Sequence, residues 1–168
     1  LNKISNSKKS QYVSFVPSKI EAIQNMRVRD LVAVGRTPYT NIFDRRTQSD
    51  NAIISEAIEQ FGLGNIGNSQ ISEISDGERQ KAMICRAVVQ KTPTIILDEP
   101  TAFLDYFAKQ KLLADLKELA EKENKCIIFS CHDLDIALKY CTHIWLLDDN
   151  KLTSLSKEEF LDLDYFSK

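Results

Sequence analysis

Apolar positions along the chain follow two different rhythms. Three short unbroken runs, "TIIL" from Thr94, "CIIFS" from Cys126 and "HIWLL" from His143, are separated by longer stretches in which apolar residues recur at helical spacing. Runs without alternation, set between helices, predict parallel strands covered on both faces. "YVSFV" (Tyr12 to Val16), ended by Pro17, predicts one more strand. Leu112, Leu113, Leu116, Leu119 and Ala120 place a helix between the first two runs. Upstream, "MRVRDLVAV" predicts a helix stopped by Gly35, and "SDNAIISEAIEQFGLG" one capped by Ser49 and stopped by glycine. "SDGERQKAMICRAVVQ" is apolar nearly all round except for a stripe of Arg79, Arg86 and Gln90, so it is expected to be buried on most sides. Ser156 and Glu159 have capping-box spacing. The expected fold class is α/β, a parallel sheet interrupted by a helical insertion over roughly Glu21 to Thr92.

Composition narrows the classes. A chain of 168 residues, 43% hydrophobic and 27% charged, can bury one core, so a single domain is the default. A formal net charge of -2 gives no electrostatic reason to expect nucleic acid or an anionic membrane as partner. Cys85, Cys126, Cys131 and Cys141 lack paired C-x-x-C spacing and read as buried thiols of a reducing cytosol. The alternative, a metal cluster of Cys126, Cys131, His132 and Cys141, has no recognised zinc spacing. The basic start "LNKISNSKKSQ" is not followed by an apolar segment, and no apolar run approaches the about 20 residues that span a bilayer. A soluble chain is expected. It starts at Leu1 and reaches a strand almost at once, as a fragment lacking the upstream part of its sheet would.

The chemistry is expected at strand ends. Carboxyl ends of parallel strands form the ligand crevice, and Asp98 with Glu99 stands where "TIIL" ends, before Pro100. The next strand ends in "CHDL", which brings His132 to the same rim. One carboxylate could hold a hard cation through water while the other orients a nucleophilic water, with His132 sensing the group transferred. The structural alternatives are a turn whose acids favour the next helix, and a histidine that starts a helix.

Together, four ordered motifs carry a resemblance. "TIILDEPTAFLD" resembles the Walker B strand and D-loop of the ATP-binding cassette (ABC) ATPases, and "ISDGERQKAMICRAVV" is similar to their signature motif and helix. "FSCHDL" resembles their switch-histidine segment and "VSFVP" the strand leading to their Q-loop, so the likeness runs from Val13 to about Asp149. The resemblance implies a P-loop-NTPase-like parallel sheet with an inserted helical subdomain. Residues 1–20 would end the N-terminal core part, 21–92 form the helical subdomain with the signature motif, and 93–168 carry Walker B, D-loop and switch histidine. It also implies roles: Asp98 for Mg2+, largely through water; Glu99 polarising the attacking water; His132 contacting the γ-phosphate; Asp105 communicating across a dimer. Ser75 and Gly77 would bind the γ-phosphate of ATP held by a second, head-to-tail protomer, as a helix N-terminus with a hydroxyl can.

Three departures qualify the carry-over. No G-x-x-x-x-G-K-[ST] occurs, which predicts that the N-terminal strands and P-loop are missing by truncation before Leu1. The signature reads Ser75-Asp76-Gly77-Glu78, whose two carboxylates repel a triphosphate unless they point away. Ser18 stands where the family has the Q-loop glutamine; it is too short to reach Mg2+ and a permease in the same way, and Gln24 is the candidate substitute. "VRDLVAVGRTPYTNIF" resembles the helical subdomain of iron-siderophore, haem and cobalamin importers, and the alternative is an amphipathic helix with a Pro38 turn. The resemblance therefore implies an ATPase subunit of a metal-chelate importer. It would be cytoplasmic, peripheral on the inner face of the membrane and docked on permease subunits, with no direct contact to substrate or nucleic acid. As a fragment it is expected to be inactive alone. The rivals are a non-transport ABC ATPase acting on nucleic acid or the ribosome, and a non-catalytic module of the same fold.

Overall fold

The computed structural model describes residues 5–19, 24–40, 46–148 and 150–162. Three parallel strands, β1 (Val13–Val16), β2 (Thr94–Leu97) and β3 (Cys126–Phe129), form a sheet in the order β1-β2-β3. Their register aligns Val16 with Leu97 and Leu97 with Phe129, so all three carboxyl ends reach one rim. β2 is the central strand, and Ile95 and Leu97 point into the core.

The crossover from β2 to β3 is α5 (Tyr106–Glu123), capped by Asp105 and ended by Asn124 in a left-handed conformation. Leu112, Leu113, Leu116 and Leu119 are its buried face, as their spacing predicts. α6 (Leu134–Tyr140) follows β3.

The third apolar run behaves differently from the expectation. β4 (His143–Asp148) pairs antiparallel with β5 (Lys151–Ser156) in a separate two-stranded sheet. A connection as short as residues 149–150, with Asn150 at φ 61°, closes an antiparallel hairpin, whereas a parallel neighbour needs a long crossover. Its outward residues Trp145, Leu147 and Leu152 are exposed, and β3 is only half-covered. The expectation of cover on both faces therefore fails for these strands. Among the described residues the outer edge of β3 has no strand partner, and a cleft of about 690 Å3 separates it from β4. α7 (Lys157–Asp162) begins at the Ser156–Glu159 capping box: the Ser156 N–H donates to Glu159 Oε2 at 2.7 Å.

Between β1 and β2 the chain is helical: α2 (Val28–Val34), α3 (Gln48–Gln60) and α4 (Asp76–Val89), with a four-residue α1 (Asn6–Lys9) before β1 that the sequence pattern does not signal. α2 crosses α4 so closely that a Cβ on Gly35 would lie 2.1 Å from the Arg86 carbonyl oxygen. α3 is capped by Thr47, not Ser49. The Thr47 hydroxyl accepts from the Asp50 N–H at 3.1 Å and its own N–H donates to Asp50 Oδ2 at 2.9 Å. A capping box needs an acid or amide three residues on, and Ser49 has Ala52 there. Ile54, Ile58, Leu63, Ile71 and Ile84 fill the interior of this helical part and merge with the sheet core in one cluster. The polar stripe of α4 faces backbone rather than water: Arg86 Nη2 donates to the Phe15 carbonyl at 2.9 Å, and Gln90 to that of Ser10. The insertion's start near Glu21 and the "NIF" at 41–43 lie outside the described residues.

Only Cys85 meets the expectation of buried thiols; burial pushes its pKa up to about 12. Cys126 is exposed and Cys131 and Cys141 are half-buried, because β3 and the end of α6 lie at the open side of the sheet. Among the described residues no group of three or more His, Cys, Asp or Glu could hold a metal, so the cysteine–histidine cluster does not form.

Candidate functional site

The parallel ladder runs one residue beyond the strands. The Asp98 N–H donates to the Val16 carbonyl at 2.9 Å and the Ser130 N–H to that of Leu97 at 3.0 Å. This puts Asp98 between the chains leaving β1 and β3. Its carboxylate accepts from the Ser130 hydroxyl at 2.8 Å, and the Ser18 hydroxyl and N–H bond it from the other side. These bonds, Ser130's first and then Ser18's, hold the Asp98 pKa below the usual aspartate range.

Glu99 follows with φ at 46°, in the left-handed region that side chains avoid. Its N–H donates to Ser130 Oγ at 2.8 Å, and its carboxylate Oε1 lies 2.8 Å from His132 Nε2. A carboxylate only accepts, so the imidazole N–H donates. The His132 side chain is 89% exposed and Glu99's 38%, so both face solvent at the rim. Asp98, Glu99, His132 and Ser18 thus meet at one place. Gln24 lies in an exposed turn.

The other candidates gather at the start of α4. Ser75 caps it in a reciprocal box: Ser75 Oγ accepts from the Glu78 N–H at 3.3 Å, and Glu78 Oε2 accepts from the Ser75 N–H at 2.9 Å and hydroxyl at 2.8 Å. These bonds lower the Glu78 pKa, and Asp76 pairs with Arg79 Nη1 at 2.6 Å. Both signature carboxylates are therefore tied to their own helix turn. Gly77 packs against the loop after β2, where a Cβ would lie 3.0 Å from Leu104 Cδ2 and 3.1 Å from the Phe103 carbonyl oxygen. Asp105 spends its side chain on the Ala108 N–H at 2.9 Å. No hydrogen bond or ion pair among the described residues joins Ser75 or Asp105 to Asp98, Glu99 or His132.

Oxygen donors suit a hard cation, and Asp98 with two hydroxyls beside it fits part of a Mg2+ shell; the remaining ligands would have to be waters or phosphate oxygens. For a triphosphate, the chain's own residues fit the terminal-phosphate end: an imidazole at the rim and a 14-residue helix with a serine at its N-terminus.

Comparisons with known proteins decide the family. A profile described as ABC transporter matches residues 1–102, more than half of the chain. The chain belongs to the ABC transporter family. An ABC transporter ATP-binding protein of Methanocaldococcus jannaschii is 39% identical over 135 residues, which cover 80% of this chain and 47% of that protein. A cobalamin import ATP-binding protein of Halobacterium salinarum is 31% identical over 149 residues, 89% of this chain and 37% of that protein. An iron(3+)-hydroxamate import ATP-binding protein of Bacillus subtilis is 31% identical, with 83% and 52% covered. The ABC chain described here thus spans about half or less of the length of these relatives. Among solved structures, a metal-chelate type ABC transporter in an inward-facing conformation superposes with a TM-score of 0.82 at 26% identity, covering 90% of this chain and 60% of that one. A dimeric ATP-binding cassette in a post-hydrolysis state, bound to ADP and Pi, gives 0.77 at 22% identity and 93% and 69% coverage, which shows the fold. The α/β fold class and the family resemblance both hold.

Sequence reasoning missed Ser130. The sequence carries no signal for it, because only the strand register, with Leu97 opposite Phe129, puts the residue after "CIIF" beside Asp98.

Proposed function

We propose that this chain is the C-terminal part of the ATP-hydrolysing subunit of an ABC importer, and that its cargo is an iron-siderophore or another metal chelate. The observation that carries the ATPase reading is the rim where Asp98, Glu99 and His132 converge, with Glu99 and His132 at 2.8 Å. The cargo class rests on "VRDLVAVGRTPYTNIF" and on the import substrates named for the relatives. No helix among the described residues is long and apolar enough to cross a membrane, which suits a subunit docked on separate permease subunits at the inner face. Residues 21–92 are read as the helical subdomain, and 1–20 and 93–168 as parts of the nucleotide-binding core.

In this reading Asp98, held by Ser130 and Ser18, presents oxygen to the Mg2+ shell, and bound Mg2+ would neutralise phosphate charge. Glu99 accepts a proton from, and orients, the attacking water. His132 holds Glu99 and reaches the terminal phosphate with the same ring. Ser75 and the amides at the start of α4 meet the phosphate of a second protomer in a head-to-tail dimer, with Asp105 and Gly77 shaping the loop between the two sites. Paired with Arg79, the Asp76 carboxylate repels that phosphate less than its charge alone implies, whereas Glu78 stays charged and has to release the Ser75 hydroxyl proton before the phosphate can take it.

The test is MgATP hydrolysis by the native assembly with Glu99→Gln. Turnover should fall about 10²–10⁴-fold while nucleotide binding is kept. Unchanged turnover would refute the role of Glu99.

A further inference from the structure

We propose that Ser130 is a positioning residue that sets the two acids against each other and aims Glu99 at His132. The inference rests on the ATPase reading above. A serine hydroxyl has one proton to give and lone pairs to accept with, and here both capacities are used. The Glu99 amide can only donate and the Asp98 carboxylate can only accept. The hydrogen-bond direction is therefore fixed: Glu99 N–H to Ser130 Oγ at 2.8 Å, Ser130 O–H to Asp98 Oδ1 at 2.8 Å. An amide–hydroxyl–carboxylate chain of one direction strengthens each of its bonds.

The two acids depend on this hydroxyl unequally. Asp98 has a second hydroxyl, that of Ser18, on its other side. The Glu99 amide has no second partner among the described residues, and Glu99 is the residue with its backbone at φ 46°. Two bonds brace that left-handed peptide: its N–H to Ser130, and its carbonyl accepting the Ala102 N–H at 3.1 Å. Release of the first lets φ relax toward negative values. That rotation carries the side chain away from the 2.8 Å contact with His132 Nε2. Ser130 thus acts on the reaction through Glu99, without touching a reacting atom.

The experiment has two arms. Amide hydrogen exchange, measured by NMR on this chain, follows the Glu99 N–H in wild type, Ser130→Ala, Ser130→Thr and Ser18→Ala. Protection should be lost in Ser130→Ala and kept in Ser130→Thr, which restores a hydroxyl, and in Ser18→Ala, which removes only a bond to Asp98. The second arm measures MgATP hydrolysis in the native assembly. Ser130→Ala should lower kcat about 10–100-fold with the KM for ATP unchanged, and Ser130→Thr should restore it. A purely structural serine would change the yield of folded protein and leave this kcat–KM split unmoved. Wild-type protection of Glu99 or wild-type kcat in Ser130→Ala overturns the proposal. If Ser130→Ala does not fold, Ser130→Cys, which keeps the volume and weakens both bonds, decides in its place. An assembly in which Glu99→Gln hydrolyses ATP at the wild-type rate sinks the ATPase role of Glu99 instead, and the exchange arm still decides on Ser130.

Discussion

Arg36 is the residue whose loss should be felt most widely in the helical part. It is 8% exposed and makes three contacts with three different elements. Its Nε meets Asp50 Oδ1 in the first turn of α3 at 2.8 Å, its Nη1 donates to the Val89 carbonyl at the end of α4 at 2.8 Å, and its guanidinium lies 4.2 Å from the Tyr39 ring centroid. Breaking a buried pair from one side costs about 3–5 kcal/mol. Asp50 keeps the Thr47 N–H at 2.9 Å and hydroxyl at 2.7 Å, so its charge is not left alone, and Arg36→Met belongs at the lower end, about 3 kcal/mol. Urea unfolding followed by circular dichroism measures this. With a slope of about 2 kcal/mol/M, the midpoint should fall by roughly 1.5 M. The cycle with Asp50→Asn should show a coupling of about 1–3 kcal/mol. Acid adds a second readout. Asp50 is lowered from 3.8 to about 2, first by the Thr47 hydroxyl, then by the Thr47 N–H, and less by Arg36. A folded value below the unfolded one contributes stability, about 2 kcal/mol, that is complete above pH about 4 and lost as pH falls through about 2. Arg36→Met should keep most of that acid dependence, and Thr47→Ala, which removes the hydroxyl and leaves the N–H bond, should reduce it more. Arg36→Met within about 0.5 kcal/mol of wild type, or strict additivity with Asp50→Asn, would refute the reasoning.

Other substitutions probe single contacts. Gly35→Ala should destabilise by about 3 kcal/mol, the upper end for overpacking, because the obstacle 2.1 Å away is a helix carbonyl, not a movable side chain; the urea midpoint reads it. Gln80 is fully buried with neither side-chain polar atom hydrogen-bonded among the described residues, so Gln80→Leu should stabilise by about 1–3 kcal/mol in the same assay. Ser75→Ala removes the cap of α4 and should cost about 1 kcal/mol; of the two bonds that lower the Glu78 pKa, the Ser75 N–H remains and only the hydroxyl is lost, so the variant should differ only slightly less from wild type in acid than near neutral pH.

What was readable in the sequence was whatever local pattern decides. The α5 crossover and the buried α4 follow from the spacing of their apolar residues, and the shared rim of Asp98, Glu99 and His132 from two strands ending in polar groups. What misled was apolar content without pairing information. "HIWLL" has the composition of a parallel strand, but its partner was set by a short turn that follows it. The Ser49 cap failed because capping depends on the residue three positions on. Ser130 was passed over as a strand terminus, since only a register turns position along one strand into proximity to Asp98. The left-handed peptide at Glu99 has no sequence signature, because nothing in a non-glycine residue announces a positive φ.

That peptide sets a trap for protein engineering. At φ 46° a glycine or asparagine is more comfortable than a glutamate, by roughly 1 kcal/mol. A library sorted for heat resistance or soluble yield would therefore enrich Glu99→Gly and Glu99→Asn, and under the proposed function both would be dead enzymes. Selection on robustness alone would quietly erase the activity, so any thermostabilised version of this cassette has to be screened with position 99 held fixed.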